Sequence, residues 1–189
     1  MRTLNFRFLW KNFMEFDYIS LGVIALTLFV CFYVLMCVKS VRNGKCITKS
    51  KIMYDVMLSI YIAILIEVML LNRGARQNHQ INLIPFWSYK EYFQSRTYML
   101  LMQMIYNTFV FIPWPILFTL VFPKMKKFLW GVGSAFLFSV FIEITQLVFK
   151  LGMFEFDDMF HNTLGAVIGY AILTLVRAII LKYRSQKSN

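Results

Sequence analysis

Long runs of apolar residues alternate with short polar or basic segments along most of the chain. Five runs reach the length of about 20 residues that an α-helix needs to cross the hydrocarbon core of a bilayer. They are Tyr18 to Val38, Ile52 to Leu71, Tyr98 to Phe122, Phe128 to Phe149 and Met159 to Leu181. The pattern predicts an all-α fold, a polytopic transmembrane helical bundle of about five spans.

The ends of the chain differ in character from the apolar runs. Residues 1–17 mix apolar and basic side chains, which is typical of an amphipathic segment that lies in the membrane interface. Residues 182–189 are basic and polar and predict a tail outside the membrane. We therefore expect a single transmembrane domain over residues 18–181, preceded by the amphipathic segment and followed by the tail.

The longest connection, between the second and third runs, contains NLIPFW at residues 82–87. Pro85 blocks helix continuation and biases the residue before it toward an extended conformation. The neighbouring side chains are too apolar for a free aqueous loop, so we expect an interfacial or re-entrant segment around Asn82–Trp87. Asn82 either hydrogen-bonds backbone there or faces the interior of the bundle.

Two prolines, Pro113 and Pro115, lie in the middle of the third apolar run. Proline has no N–H group and clashes with the carbonyl four residues earlier, so these residues predict a kink or an interruption of the helix. Carbonyl groups released near Phe109 and Phe111 would then be available to line a cavity. A kink that serves helix packing alone is the alternative.

Composition and charge agree with a membrane protein. Hydrophobic residues make up 59% of the chain and charged residues 15%, against about 25% charged residues in ordinary soluble domains. The net charge of +11 comes mainly from residues between and beyond the apolar runs, which indicates membrane orientation and lipid contact rather than nucleic-acid binding. The basic segments 39–51, 124–127 and 182–187 share one side of a five-span chain, so we expect a cytoplasmic C-terminus and an external N-terminus.

Polar residues inside the apolar runs concentrate in one half of the membrane. A charged side chain at the bilayer centre costs about 2.5–3.5 kcal/mol on insertion scales, so such residues need partners or a function. The residues at similar depth on four runs are Glu67, Asn107, Glu143, Gln146, Asp157, Asp158 and Asn162. We expect them to converge on a polar cavity open to one face of the membrane, the outer face under the predicted orientation.

One face of the fifth run carries polar and small residues at helical spacing, namely Asp158, Asn162, Gly165 and Gly169. Gly165 and Gly169 form a GxxxG pair, which allows a neighbouring helix to approach closely. We expect this face to pack against the fourth run. That packing would bring Asn162 and Asp158 close to Glu143.

Simpler explanations exist for several of these residues. Asp157 or Asp158 would cap the N-terminus of the fifth helix. Glu143 and Gln146 would form interhelical hydrogen bonds without any ligand. A divalent cation held by the acidic residues and His161 matches no established ligand spacing, so neither a metal nor another cofactor is predicted. The cysteines form no disulfide framework.

An ordered set of motifs resembles the VanZ-like family of bacterial membrane proteins. The matching segments are NLIPF at residues 82–86, Asn-x-x-x-Phe-x-Pro at residues 107–113, IEITQ at residues 142–146 and DDMFHNTLGAVIGY at residues 157–170. The chain departs from the family at Pro115, where members often have Gly, and lacks an Arg that often precedes the acidic pair. The resemblance implies an all-helical membrane fold. The founding member is associated with resistance to teicoplanin-type glycopeptide antibiotics.

Three functions follow as hypotheses. The first is a non-enzymatic protein of the cell membrane that binds a lipid-linked envelope precursor or a glycopeptide in the cavity and lowers glycopeptide susceptibility. Its predicted ligand-binding residues are Asn82, Pro85, Phe86, Asn107, Glu143, Gln146, Asp157, Asp158 and Asn162. The second is a membrane enzyme that acts on a lipid-linked intermediate, with Glu143 and Asp158 as acid and base. The third is an assembly subunit whose polar residues only hold helices together.

Overall fold

A computed structural model describes residues 48–71 and 79–187, so the first predicted span and the amphipathic segment 1–17 lie outside the described residues. The chain divides into two compact units, Met1–Ala75 and Arg76–Asn189. Within the described ranges, four helical segments are long and apolar enough to cross a membrane. They are Lys49–Leu70, Tyr98–Val121, Phe128–Phe149 and Phe156–Lys187. The predicted all-α transmembrane fold is confirmed.

The described part of the N-terminal unit is one helix, α1 (Lys49–Ile66), which continues as a π-helical segment over Glu67–Leu71. Asp55 is buried on α1 and forms an ion pair with Lys51, one turn earlier, which compensates the charge of its carboxylate. Glu67 is buried at the start of the π-helical segment. Glu67 thus belongs to this unit, whereas the other predicted cavity residues belong to the C-terminal unit.

The C-terminal unit contains most of the described elements. In chain order they are β1 (Gln80–Asn82), α2 (Trp87–Ser95), α3 (Tyr98–Phe111), α4 (Pro113–Val121), α5 (Phe128–Phe149), β2 (Met153–Glu155) and α6 (Phe156–Lys187). Helices α3 and α4 are the two halves of the third predicted span. Pro113 has no N–H group to donate to the Phe109 carbonyl four residues back, and this carbonyl instead accepts from the Ile112 N–H at 3.2 Å. The predicted interruption of this span is confirmed.

Helix α6 packs along α3, α4 and α5 and fixes their relative directions. Gln103 of α3 contacts Asp158 at the start of α6, and Ile112 lies against Gly169 farther along both helices. Helices α3 and α4 therefore run parallel to α6. This direction is expected, because the span formed by α3 and α4 is separated from α6 by one other span, α5.

Helix α5 runs in the opposite direction. The turn over residues 122–127 precedes α5 and lies beside the middle of α6, where the Tyr170 hydroxyl donates to the Lys126 carbonyl at 2.9 Å. The unit therefore has two distinct ends. The acidic end, where α2, both strands and the start of α6 meet, carries Glu91, Glu143, Glu155, Asp157 and Asp158. The basic end, around the 122–127 turn, carries Lys124, Lys126, Lys127 and Arg177.

Aromatic packing joins α4 to α5. The Trp114 indole N–H donates to the Ser134 hydroxyl at 3.0 Å, and the Trp114 ring stacks on Phe138 with centroids 4.6 Å apart. Because Trp114 is 5% exposed, its indole N–H needs this partner, and the bond fixes the ring at the contact. The start of α4 is thereby held against the first half of α5.

The glycine face of α6 packs against the third predicted span and not, as expected, against the fourth. A Cβ at Gly165 would overlap the Thr108 carbonyl oxygen, and a Cβ at Gly169 would overlap the Ile112 carbonyl oxygen. The helix break contributes to the first of these two contacts. Since the Ile112 N–H bonds to Phe109, the Thr108 carbonyl loses its usual intrahelical donor and projects toward α6, where only glycine leaves room.

A two-stranded parallel sheet connects the segment before α2 to the start of α6. Gln80 pairs with Met153, and Asn82 pairs with Glu155. Strands of three residues carry too little alternation to be recognised in the sequence, so this element was not predicted. The sheet holds the residues that precede Pro85 beside the N-terminus of α6.

Candidate functional site

Asp157, in the first turn of α6, organises the acidic end. Its carboxylate oxygens accept hydrogen bonds from the Phe86 N–H at 2.6 Å and the Ser88 N–H at 2.8 Å. These groups begin α2, and Phe86 itself has a φ of 59° and no side-chain polar atom to offer. Asp157 therefore caps α2, whereas the sequence suggested a cap on its own helix.

His161 is buried and forms a hydrogen-bonded chain with the partly exposed Tyr89. Its Nδ1 lies 2.6 Å from the Asp157 carbonyl oxygen, and its Nε2 lies 2.8 Å from the Tyr89 hydroxyl. A carbonyl oxygen only accepts, so Nδ1 carries a proton and donates to it, while Nε2 and the Tyr89 hydroxyl share the second hydrogen bond. The chain attaches α2 to α6 a second time, one turn beyond Asp157.

We expect the Tyr89 hydroxyl to titrate above the range of a free tyrosine. Partial burial raises the pKa of Tyr89, and the Asp157 carboxylate raises it further. Since the folded state holds this proton more tightly than the unfolded state, the stabilisation is complete below about pH 10 and is lost as the pH rises above that value. The ultraviolet titration of the wild type minus that of Tyr89→Phe isolates this group. A midpoint at or below about 10 would contradict the expectation.

Asp158 has a partner on α3 that the sequence analysis did not select. The Gln103 amide nitrogen lies 3.2 Å and 3.3 Å from the two oxygens of this buried carboxylate. Helical spacing could have identified Gln103, because Gln103 and Asn107 are four residues apart and share a face of the third span. Asp158 thus contributes to the contact between α3 and α6.

Glu143 and Gln146 lie on one face of α5, and both side chains are fully buried. The Glu143 Oε2 accepts a hydrogen bond from the Glu155 N–H at 2.9 Å, which attaches the end of β2 to α5. The Gln146 carbonyl accepts from the Leu151 N–H at 2.9 Å and supports the connection to β2. In the part of the chain that the structure describes, no cluster of three or more His, Cys, Asp or Glu side chains is placed to hold a metal ion.

Asn107 and Asn162 each bury a side-chain polar atom that has no hydrogen-bond partner among the described residues. Asn107 on α3 is 1% exposed and Asn162 on α6 is 0% exposed. The Asn162 Nδ2 donates to the Ser139 hydroxyl on α5 at 2.8 Å. The Asn162 Oδ1 and the Asn107 Nδ2 have no hydrogen-bond partner among the described residues. A buried polar atom without a partner costs about 1–3 kcal/mol, so each atom favours a bound group.

The two asparagines lie at the same level of the α3–α6 contact. Gln103 faces Asp158 on one side of this level, and Thr108 faces Gly165 on the other. Asn107 and Asn162 fall between these two contacts on their respective helices. Ser139, which the sequence analysis also did not select, reaches the same level from α5.

Asn82, Pro85 and Phe86 occupy the segment before α2. The Asn82 side-chain oxygen accepts from the Ile84 N–H at 3.2 Å, so Asn82 bonds to local backbone, the first of its two predicted alternatives. Pro85 and Phe86 are exposed, and the Phe86 ring packs edge-on against Phe160 with centroids 5.3 Å apart. These residues flank the start of α6 at the surface of the unit, whereas Asn107, Glu143, Gln146, Asp157, Asp158 and Asn162 are buried within it.

The fold and the buried polar group define a polytopic α-helical membrane protein with hydrophilic side chains inside its helix bundle. The chain belongs to the VanZ/LLP1 family, whose family model matches residues 56–177. The resemblance found in the motifs is thereby confirmed, and the match extends toward the N-terminus beyond them. No curated protein and no solved structure gives a significant match to the chain.

Proposed function

We propose that the protein is a non-enzymatic component of the bacterial cell envelope that binds a lipid-linked precursor or a glycopeptide-type ligand at its acidic end. Binding lowers susceptibility to teicoplanin-type glycopeptides. One observation carries the proposal: the Asn107 Nδ2 and the Asn162 Oδ1 are buried at one level between α3 and α6 without protein partners among the described residues.

A hydroxyl group is the chemistry that suits these two atoms. A hydroxyl accepts from the Asn107 amide and donates to the Asn162 carbonyl oxygen. It satisfies the pair equally well if either amide is rotated by 180°, because a hydroxyl both donates and accepts. Asn107, Asn162 and Ser139 are all neutral, so the level favours a neutral group over a phosphate or a carboxylate. Sugar hydroxyls of a lipid-linked precursor or of a glycopeptide meet this requirement.

The surroundings are consistent with a ligand that is part sugar and part lipid. Pro85 and Phe86 are exposed beside the start of α6, as are the apolar side chains of Ile81, Leu83 and Ile84. Exposed apolar residues at the end of a membrane domain contact lipid tails or the interfacial region. In the proposed complex they contact the lipid part of the ligand, while the asparagines bind its hydroxyl groups.

The distribution of charge supports an outward position of the acidic end. The 122–127 turn and the C-terminal part of α6 carry the basic residues Lys124, Lys126, Lys127, Lys182, Arg184 and Lys187. Cytoplasmic segments are enriched in Lys and Arg. We therefore propose that the basic end and the C-terminus are cytoplasmic, and that the N-terminus, one predicted span before α1, is external.

Asn107→Leu tests the function most directly. The Asn107 Nδ2 makes no hydrogen bond to the described protein, so a similarly sized apolar side chain should keep or raise thermal stability by about 1 kcal/mol while removing the ligand contact. We expect the variant to lose protection of cells against teicoplanin by several-fold and to lose binding of labelled teicoplanin in detergent solution.

Thr163→Val is the matched control for this experiment. Thr163 adjoins Asn162 on α6, but its hydroxyl bonds only to the Met159 carbonyl of its own helix at 2.7 Å. The control should leave protection and binding unchanged. Full protection by a stably inserted Asn107→Leu protein would remove Asn107 from the function. A marked loss of thermal stability would instead indicate that Asn107 acts only in helix packing.

A further inference from the structure

Arg177 is a cation on α6 without an anionic partner in the described part of the C-terminal unit. Its Nη2 donates to the Thr119 hydroxyl at 3.1 Å, and no carboxylate of residues 79–187 lies within ion-pair distance of it. Thr119, on α4, is 1% exposed and in turn donates to the Ile116 carbonyl at 3.2 Å. A guanidinium has five N–H donors, so the contact with Thr119 orients Arg177 but leaves its charge uncompensated.

The uncompensated positive charge of Arg177 is part of a wider separation of charge between the two ends of the unit. All carboxylate side chains among residues 79–187 lie at the acidic end. The basic end has cations alone, with the 122–127 turn fastened to α6 by the bond from Tyr170 to the Lys126 carbonyl. The described part of the unit therefore contains nothing at this end that neutralises Arg177.

The position of Arg177 along α6 indicates which kind of group neutralises its charge. Arg177 follows Asp158 by 19 residues on one continuous helix, a rise of about 28 Å at 1.5 Å per residue. That length is close to the hydrocarbon thickness of about 30 Å, so Arg177 lies near the headgroups of the leaflet at the basic end. Ile179, Ile180 and Leu181 are exposed beyond it and extend the apolar surface past the guanidinium. A cation bordered by lipid-facing side chains lies beside phospholipid phosphates rather than in open water.

We propose that Arg177, positioned by Thr119, binds the phosphate of an anionic phospholipid in the leaflet at the basic end. The planar guanidinium donates two parallel hydrogen bonds to the phosphate oxygens. The lysines of the 122–127 turn add attraction at longer range, and the acyl chains contact the exposed isoleucines of α6. The site is separate from the hydroxyl-binding level at the acidic end and does not depend on it.

Native mass spectrometry of the full chain in mixed micelles of phosphatidylcholine and phosphatidylglycerol tests the proposal. Arg177→Gln should reduce retention of phosphatidylglycerol by about tenfold, because the charge and the paired donors are both lost. Arg177→Lys should reduce it by about threefold, because an ammonium keeps the charge but not the planar geometry. Thr119→Val keeps the charge, releases the guanidinium and should give an intermediate loss.

Arg184→Gln is the matched control, since it removes the same charge from an exposed position two turns farther along α6. We expect it to retain phosphatidylglycerol as the wild type does. Equal losses for Arg177→Gln and Arg184→Gln would mean diffuse attraction to the surface, and unchanged retention in Arg177→Gln would mean no site; either result overturns the proposal. If Arg177→Gln does not fold, Arg177→Lys and Thr119→Val test the proposal in its place. Retention of phosphatidylglycerol at the wild-type level in both variants would also overturn the proposal. Teicoplanin protection is not part of the readout, so this outcome and that of Asn107→Leu remain separable.

Discussion

Alanine at Gly165 or Gly169 is expected to destabilise the C-terminal unit by about 3 kcal/mol or more, or to prevent its folding. The added Cβ would overlap the carbonyl oxygen of Thr108 in the first case and of Ile112 in the second, and would lie 2.9 Å from the carbonyl carbon in both. Backbone atoms of a packed helix have no rotamer with which to move aside. The two helices must therefore separate, and the buried contacts along α3, α4 and α6 weaken together.

Gly133→Ala provides a control with the same chemical change. A Cβ at Gly133 of α5 meets only the Leu129 Cδ1, at 4.0 Å. Alanine has a higher helix propensity than glycine by up to about 1 kcal/mol, so this variant should be as stable as the wild type or more so. Thermal unfolding in detergent, followed by the loss of a monodisperse chromatographic peak, compares the three variants. If Gly165→Ala unfolds at the temperature of Gly133→Ala, α3 and α6 are not in the close contact described here.

Most of the membrane fold was predictable because hydrocarbon imposes a strict length and composition on a spanning helix. Each described spanning segment overlaps a predicted run, and the interruption at Ile112 followed from Pro113. The partner of the glycine face was not predictable. A GxxxG pair shows that some helix approaches closely, but the identity of that helix depends on how the helices are rotated and aligned.

Most residues of the candidate site were predictable from the sequence, but their hydrogen-bond partners were not. The sequence selected Asp157, Asp158 and Asn162 because polar side chains are expensive inside apolar runs. It did not select Gln103 or Ser139, which look unremarkable in their own helices and gain importance only through partners on another helix. Pairings across large sequence separations depend on helix register and rotation, which hydropathy leaves undetermined.

Asp157→Ala is expected to release the start of α2 and to lower stability by about 3–6 kcal/mol. Two charge-assisted hydrogen bonds, to the Phe86 and Ser88 N–H groups, are lost together, and each such bond contributes about 1.5–3 kcal/mol. The Ser88 N–H is left in a buried position, and Phe86 loses the contact that holds its left-handed backbone conformation. Asp157→Asn keeps a hydrogen-bond acceptor but loses the charge, so its stability should lie between that of Asp157→Ala and that of the wild type.

Hydrogen exchange distinguishes the local loss of the α2 cap from a general effect of removing the charge. In Asp157→Ala the amides of Phe86 and Ser88 should exchange faster by a factor larger than for any amide in the middle of α5, because α2 loses its cap while α5 loses no contact. Glu91→Ala is the control: Glu91 is an acidic residue of α2 itself whose carboxylate makes no hydrogen bond or ion pair to the described protein. It should change neither exchange nor stability appreciably. Uniformly faster exchange across α3, α5 and α6 in Asp157→Ala would instead mean that Asp157 stabilises the whole unit, with the cap of α2 as only one part of its role.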